Sequence, residues 1–442
     1  VTTPPQPRRS SLQHIIEFVQ AAFSEQPEVA LAFERCFPNS LETTLHSQAA
    51  GQTFVVTGDI PAMWLRDSTA QVWPYLALCA QDAELSRLIA GVIATQADQL
   101  LADPYANAFN ALPSGAGHTA DQPRRHPLVW ERKFELDSLC YPIRLAHRYW
   151  QLTGNAAALG KRVHQAARSV LGVLQTEQHH AERSAYQFWR PDAASTDNLP
   201  NGGRGRPVGY TGLIWSAFRP SDDACEFNYN IPGNMMASVE LGHLAELAQE
   251  VWNDDQLRTD ALQLRAEIEA GLKQFAVAEH PRFGTVYAYE VDGLGGQLLM
   301  DDANIPSLLS APYLGYCPVD DATYQHTRAL VLSGENPYFF SGTAAQGVGS
   351  PHTPPQHIWP LALAMRGLTA DTASERAAML AVLVGTTAGT NLMHESFHVD
   401  DPAIFTREWF GWANSLFSEL VMSHTGASAG PSTWPAADQG AV

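Results

Sequence analysis

Between Gly58 and Ser68 the chain sets two carboxylates, an arginine and a tryptophan in one stretch, Gly-Asp-Ile-Pro-Ala-Met-Trp-Leu-Arg-Asp-Ser. Gly58 and Pro61 forbid a regular element across it. Asp59 to Asp67 is therefore predicted to be a loop feeding a helix, with Asp67 or Ser68 accepting bonds from the free N–H groups of its first turn. A polar loop locked by bulky neighbours is how a rigid scaffold presents binding groups. The plainer reading is that Arg66 and Asp67 pair with each other or with helix ends. Asp222 and Asp223 stand beside Arg219, with Trp215, Phe218, Phe227 and Tyr229 nearby. Partial burial among those rings would raise the pKa of an acid, as a proton donor requires. Two adjacent carboxylates point in different directions in most backbones, so one is free to work while the other caps or pairs. Glu395 lies in a Gly/Thr/Asn-rich loop between Met393, His394 and Phe397. Those are surroundings for a base that activates water, and the alternative is a pair with Arg407.

The run His394-Glu395-Ser396-Phe397-His398 also matches H-E-x-x-H, in which two histidines one helical turn apart hold zinc. That chemistry needs a continuous helix. Gly385, Thr386, Thr387, Gly389 and Thr390 before the run, and Asp400, Asp401 and Pro402 after it, disfavour one. A zinc metalloprotease is thus the lesser reading, and no metal or other cofactor is expected. Asp301-Asp302-x-Asn304 lacks the Gly and the distant Glu of an EF-hand calcium loop. No P-loop, nucleotide-binding glycine fingerprint or G-x-S-x-G elbow is present, which disfavours kinases, dehydrogenases and α/β-hydrolases.

The elements that must position these groups are mostly helical. Apolar residues recur at helical spacing from Ser10 and over Glu28–Phe37, Ala70–Ala80, Glu84–Leu101, Glu135–Gln151, Ala156–Gln175, Asn234–Val251 and Asp255–Phe275. The pattern resumes over Ile305–Leu314, Ala322–Leu332, Trp359–Arg366, Ala373–Val384 and Pro402–Ser423. Thr53–Thr57 and Thr285–Val291 are the strand candidates. Helix pairs whose intervening loops carry the carboxylates, histidines and aromatics describe a closed helical barrel with those loops at its mouth. One catalytic domain is expected over residues 11–425, with flexible ends at 1–10 and 426–442.

A net charge of −19 argues against a nucleic-acid or anionic-membrane surface and is compatible with an uncharged substrate. Five scattered cysteines with no C-x-x-C spacing point to neither a disulfide framework nor a structural zinc site. No apolar run reaches the roughly 18 residues that span a bilayer. The absence of a charged-then-apolar leader predicts a cytoplasmic location, and a monomer is expected.

Taken together, the motifs resemble those of glycoside hydrolase family 125, the exo-α-1,6-mannosidases. The series is Gly58–Ser68, Glu131-Arg-Lys-Phe-Glu-Leu-Asp-Ser138 with Leu139–Pro142, Phe218-Arg-Pro-Ser-Asp-Asp-Ala224, Asp301-Asp-Ala-Asn-Ile-Pro306, Ser350-Pro-His-Thr-Pro354 and Met393-His-Glu-Ser-Phe397. They come in the family's order and span Gly58 to Asn414. The resemblance implies an all-α, (α/α)6 barrel and a metal-independent, inverting hydrolase of α-1,6-mannosides. It implies Asp222 as general acid, with Asp223 the alternative, and Glu395 as general base. Inversion by single displacement would set the two carboxyls roughly 6.5–9.5 Å apart. Arg66 and Asp67 match the positions that bind the terminal mannose, and Trp64 and Trp412 supply apolar walls. Asp59, Glu131, Asn234, Asp302, Asn304, His352 and His394 complete the expected sugar-binding set. One departure is Gly233, where the family pattern has Ser, which would loosen the helix start beside the acid. Two rivals are an (α/α)6 glycosidase of other sugar specificity and a sugar-binding protein without turnover. An acid and a base retained together disfavour the latter.

Overall fold

The computed structural model describes residues 9–426. Twelve helices of eight residues or more lie among them. In chain order these are α1 (Arg9–Ala22), α2 (Pro27–Cys36), α3 (Leu65–Val72), α4 (Ala83–Ala102), α5 (Leu136–Thr153) and α6 (Lys161–Glu177). Then come α7 (Ile231–Leu247), α8 (Asp255–Phe275), α9 (Ala322–Val331), α10 (Pro360–Leu368), α11 (Ala373–Gly385) and α12 (Gly411–Thr425). Several start where a side chain satisfies a free N–H. Asp82 caps α4, Asp254 caps α8, Asp321 caps α9 and Thr372 caps α11. The feared loosening at Gly233 does not occur, because Asn230 Oδ1 accepts from Gly233 N at 2.8 Å and caps α7.

Burial sorts the helices into two layers. Every residue of α3 is buried, and α7 is buried along nearly its whole length. By contrast, α8 buries one face only, through Leu257, Ala261, Leu264, Ile268 and Leu272. α3 packs on α5, α5 on α7, and α7 on the single turn Ala311–Leu314, while α10 packs on α12 and α12 returns to α3. Outside them, α4 lies on α5, α8 on α7 and α11 on α10. The result is an (α/α)6 barrel, with one inner position reduced to a single turn and one continuous apolar core between the layers.

Short antiparallel sheets brace the loops at the site end. β1 (Met63–Trp64) pairs with β2 (Ala108–Phe109), and β2 with β3 (Val129–Glu131), so Trp64, Ala108 and Glu131 lie in register. β4 (His357–Ile358) pairs with β5 (Ser396–His398), and β5 with β6 (Phe405–Thr406). The barrel closes where the first motif meets the last. Gly58 bridges Phe410, and Gly411 N donates to Thr57 O at 2.9 Å. Gly58 has φ +134°, and a Cβ there would stand 2.3 Å from Trp409 O. Gly58→Ala is therefore expected to lower the melting temperature, at a cost above about 1 kcal/mol. A variant that melts with the wild type would refute this account of the seam.

Several expected elements differ. The opening helix starts at Leu65 with no side-chain cap, so Arg66, Asp67 and Ser68 lie inside it. Ile305–Leu314 is mostly loop, because Asp301 accepts the N–H groups of Leu308 and Leu309 at 2.8 and 2.9 Å. Pro402–Phe410 is a turn followed by the short strand β6, which pairs with β5, and α12 begins only at Gly411. Ala156–Gln175 breaks at Gly160, and the strand expected over Thr285–Val291 is two, Gly284–Tyr287 and Glu290–Val291. The flexible ends expected at 1–10 and 426–442 lie outside the described residues, apart from Arg9 and Ser10, which open α1, and Gly426, which ends α12.

Candidate active site

The first turns of α3, α5 and α12 point into one end of the barrel. Each carries a site residue: Arg66 and Asp67, Asp137, and Trp412. The positive ends of these helix dipoles favour the carboxylates gathered there. A cavity of about 740 Å³, measured out to its mouth, opens at this end. Trp64, Arg66, Asp67, Asp222, Asn304, His352, Glu395, Arg407 and Trp412 line it, with Trp359 and Phe410 as further walls. Six stretches of chain between Thr57 and Trp412 thus supply one small pocket with acids, cations and rings.

Arg66 is the hub. Its Nη1 donates to Glu135 Oε2 at 2.5 Å and Asp137 Oδ2 at 3.3 Å, and its Nη2 to Asp222 Oδ1 at 3.3 Å. Its Nε stands 3.6 Å from Asp67 Oδ2, and its guanidinium lies 5.7 Å from the centre of the Trp412 ring. Burial alone would weaken the guanidinium's hold on its proton, but Glu135, Asp137, Asp222 and Asp67 raise it further above its ordinary value. Burial pushes Asp67 and Asp137 up to about 6 in spite of Arg66.

Asp222 sits at φ +68°, a left-handed conformation that Asp tolerates better than most residues. Lys133 Nζ donates to its carbonyl oxygen at 2.6 Å and to Asp197 Oδ1 at 2.7 Å, while Asn107 Nδ2 reaches its Oδ1 at 3.3 Å. Burial by itself would raise Asp222. A hydrogen bond shared with Glu135, together with Arg66, Lys133 and His352, holds it well below the usual carboxylate range. Asp223 does not line the cavity; it accepts from Ser221 Oγ at 3.0 Å, with His352 Nδ1 at 3.7 Å. Neighbouring Arg219 is fully engaged by Glu290, at 2.6 and 3.2 Å.

Glu395 faces Asp222's cavity from the opposite run of sequence. Its backbone N donates to Thr406 O at 3.3 Å, and its Oε1 lies 3.5 Å from Arg407 Nη1. Asp59 in turn clamps Arg407, accepting from Nε at 2.9 Å and Nη2 at 2.5 Å. Arg407 also lies over the Phe410 ring at 4.6 Å.

The expected site residues therefore divide. Trp64, Arg66, Asp67, Asp222, Asn304, His352, Glu395 and Trp412 come together. Five others do not line the cavity. Asn234 is buried elsewhere, its amide spent on Ile214 and Asn230. His394 stacks on Phe405 at 3.8 Å and spends its ring nitrogens on Glu408 O, Thr387 O and Thr390 Oγ1. Asp302 braces Asn304 and Ser350, Glu131 pairs with Arg190 and Asn107, and Asp59 holds Arg407. The H-E-x-x-H reading fails on geometry, because Ser396–His398 is a strand rather than a helix turn. Among the described residues no three His, Cys, Asp or Glu side chains are placed to hold a metal ion. Nor is any described helix long and apolar enough to cross a membrane.

Sequence reasoning passed over Glu135, Asp137, Asn107 and Lys133. The first two share a motif with Glu131, and their i, i+2 spacing in an extended-to-helix junction was the available signal. Asn107 carried none, since only the β1–β2 pairing brings it beside Arg66.

His352 provides a check on the site's electrostatics. Burial would lower it, but Asp223, Asp222 and Glu395 outweigh that and raise it to about 9. A histidine raised on folding contributes stability in full below its ordinary value of 6.5. That contribution fades as pH climbs through about 9. The gap in melting temperature between wild type and His352→Asn should thus be widest just below the first value and close above the second. A gap that does not narrow with rising pH would contradict the pairing.

Comparison with known proteins places this arrangement. The sequence model of the metal-independent α-mannosidases, GH125, matches residues 26–422. A solved structure of a metal-independent α-mannosidase from Streptococcus pneumoniae, a non-productive complex with α-1,6-mannobiose, is 44% identical. It superposes with a TM-score of 0.94 over 96% of this chain and 100% of its own. The meiotically up-regulated gene 157 protein of Schizosaccharomyces pombe is 42% identical over 434 residues, covering 93% of this chain and 85% of that protein. A bacterial glucoamylase bound to acarbose shares the fold alone, at 12% identity and a TM-score of 0.53, over 83% of this chain and 49% of its own. Motif order, barrel and pocket agree with the family match along nearly the whole length: the chain is a glycoside hydrolase and belongs to the metal-independent α-mannosidases of family GH125.

Proposed function

We propose that this α-mannosidase is exo-acting and inverting, removing one terminal mannose at a time from non-reducing α-1,6 ends. The observation that carries the reading is that Asp222 and Glu395, far apart in sequence, line one cavity that also holds Arg66, Asp67 and three tryptophans. Binding of α-1,6-mannobiose by the pneumococcal relative supports the linkage. Asp222 acts as the acid, donating to the glycosidic oxygen as the C1–O bond breaks. Glu395 acts as the base, removing a proton from the water that attacks the opposite face of an oxocarbenium-like transition state. Arg407, clamped by Asp59, lies 3.5 Å from Glu395 Oε1 and holds that side chain in place.

Selectivity follows from the pocket's polar atoms. Arg66 and Asp67 hold hydroxyls through charged hydrogen bonds, and Trp64 Nε1 is buried with no acceptor among the described residues, leaving it to donate to a sugar. An epimer with one hydroxyl misplaced leaves such a group unpaired, at about 1–3 kcal/mol or more. Incubation with α-1,6-mannobiose and the matching α-1,6-linked glucose disaccharide tests this directly, with the first cleaved at least about tenfold faster. Equal rates, or cleavage of the glucoside alone, would move the enzyme to another specificity. Activity is expected to persist in a strong chelator, and loss in EDTA that zinc or calcium restores would overturn the two-carboxylate mechanism.

A further inference from the structure

The acid faces a difficulty that its neighbours resolve. A general acid must hold a proton when substrate is bound, yet Arg66, Lys133 and His352 all favour the ionised form of Asp222. Behind Asp222, outside the cavity lining, stands Glu135, which is wholly buried at 0% exposure. The two carboxyl groups share donors. Asn107 Nδ2 lies 3.0 Å from Glu135 Oε1 and 3.3 Å from Asp222 Oδ1. Arg66 forks across them, Nη1 on Glu135 and Nη2 on Asp222. Ser138 Oγ donates to Glu135 Oε2 at 2.9 Å.

Resting on the reading of Asp222 as the acid, we propose that Glu135 is a positioning residue that shares one proton with Asp222, so that the pair, not Asp222 alone, is the proton donor. The charge balance supports this. Glu135 is faced by Arg66 from α3, by Asp137 from the first turn of α5 and by Asp222 from the loop before α7. Asp222 is faced further by Asp67, Lys133 and His352. Lys133 is largely offset by Asp197 and Glu131, and His352 by Asp223. One guanidinium is left among Asp67, Glu135, Asp137 and Asp222. Two like carboxylates sharing donors in a buried place do not both ionise. Burial, with Asp222 and Asp137 beside it and only Arg66 opposing, holds Glu135 well above the usual carboxylate range. The proton therefore rests on Glu135 in the empty site and on Asp222 once a glycosidic oxygen presents an acceptor.

The step balances. With substrate bound, Asp222 holds the shared proton, and Glu135 is a carboxylate neutralised by Arg66. As the C1–O bond breaks, its electron pair stays on the leaving oxygen, which takes the proton from Asp222. Water adds to C1 and gives its proton to Glu395. Both members of the pair end as carboxylates, and solvent returns one proton to them while Glu395 releases one.

The test is Glu135→Gln, which keeps the shape and one acceptor oxygen for Arg66 Nη1 and Ser138 Oγ, but gives up the oxygen facing Asn107 and has no proton to share. Two substrates are compared: α-1,6-mannobiose, whose leaving group needs a proton, and 2,4-dinitrophenyl α-mannoside, whose leaving group does not. We expect kcat on the disaccharide to fall by about 10²-fold or more with KM little changed. The loss on the activated substrate should be far smaller. The alkaline limb of the kcat/KM profile should move to lower pH by about one unit or more, because Asp222 then ionises alone. Equal losses on both substrates with an unmoved profile would reduce Glu135 to a structural role and overturn the proposal. Should the glutamine variant not fold, Glu135→Asp serves: its shorter arm should shift the limb part of the way and keep the selective loss, and a wild-type limb with equal losses would again overturn it. Asp222→Asn on the same two substrates separates the two readings. If that variant loses both alike, or neither, the assignment of the acid fails whatever Glu135 does.

Discussion

Asp222→Asn and Glu395→Gln are each expected to lower kcat on α-1,6-mannobiose by about 10²–10⁴-fold, with far smaller changes in sugar binding and in melting temperature. The asymmetry follows from what each side chain contributes. Arg66, Asp67 and the rings of Trp64 and Trp412 shape the pocket for the ground state, whereas the proton transfers exist only in the transition state. Neither variant leaves a buried cation stranded. Arg66 retains Glu135, Asp137 and Asp67, and Arg407 retains its clamp on Asp59. Initial rates and isothermal titration with mannobiose check both halves. Near-normal turnover in Asp222→Asn would pass the role to Asp223, against its orientation toward Ser221 and His352. Near-normal turnover in both variants would reject the pair.

Arg66→Met should be the most destabilising single change in the site. It removes the one cation that, among the described residues, bridges Glu135, Asp137, Asp222 and Asp67, all of them largely shielded from water. Breaking a buried charge network by deleting one partner costs roughly 3–5 kcal/mol, a large part of the stability of a typical domain. The loss should depend on pH in a definite direction. Burial already lifts Asp137 and Asp67 to about 6 against the pull of Arg66, and without it they rise further. Carboxyls raised in the folded state destabilise as pH rises through their folded values and are harmless below their ordinary value of 3.8. Urea unfolding should therefore show the deficit near neutrality and its shrinkage on acidification. A deficit that grows toward acid pH, or none at all, would contradict the hub.

Much of this was legible in the chain. Of thirteen stretches of helical spacing, twelve overlap a long helix, most closely where apolar contacts decide the element, as at Asp255–Phe275. Ala70–Ala80, by contrast, shares only Ala70–Val72 with α3 and continues as the 3-10 turn Trp73–Leu78. The pattern failed where a tertiary partner overrode it. Ile305–Leu314 has helical spacing, but the Asp301 carboxylate captures its N–H groups and leaves a single turn. Pro402–Phe410 looks continuous with α12, but Phe405 stacks on His394 and Thr406 joins a sheet. In the site, the cavity residues came from motifs whose bulky neighbours fix one exposed face. The residues behind them were harder. Glu131 was singled out, yet Glu135 meets both Arg66 and Asn107, because a junction between strand and helix re-aims side chains in a way that local sequence does not specify.

The central claim, single displacement by Asp222 and Glu395 on a terminal mannose, is tested most directly by following α-1,6-mannobiose or a longer α-1,6-mannan by proton NMR from the first turnover. The account predicts free mannose appearing first as the β-anomer, one unit at a time, before mutarotation mixes the signals. Early α-mannose would contradict inversion, and oligosaccharides released from within the mannan would contradict the closed pocket.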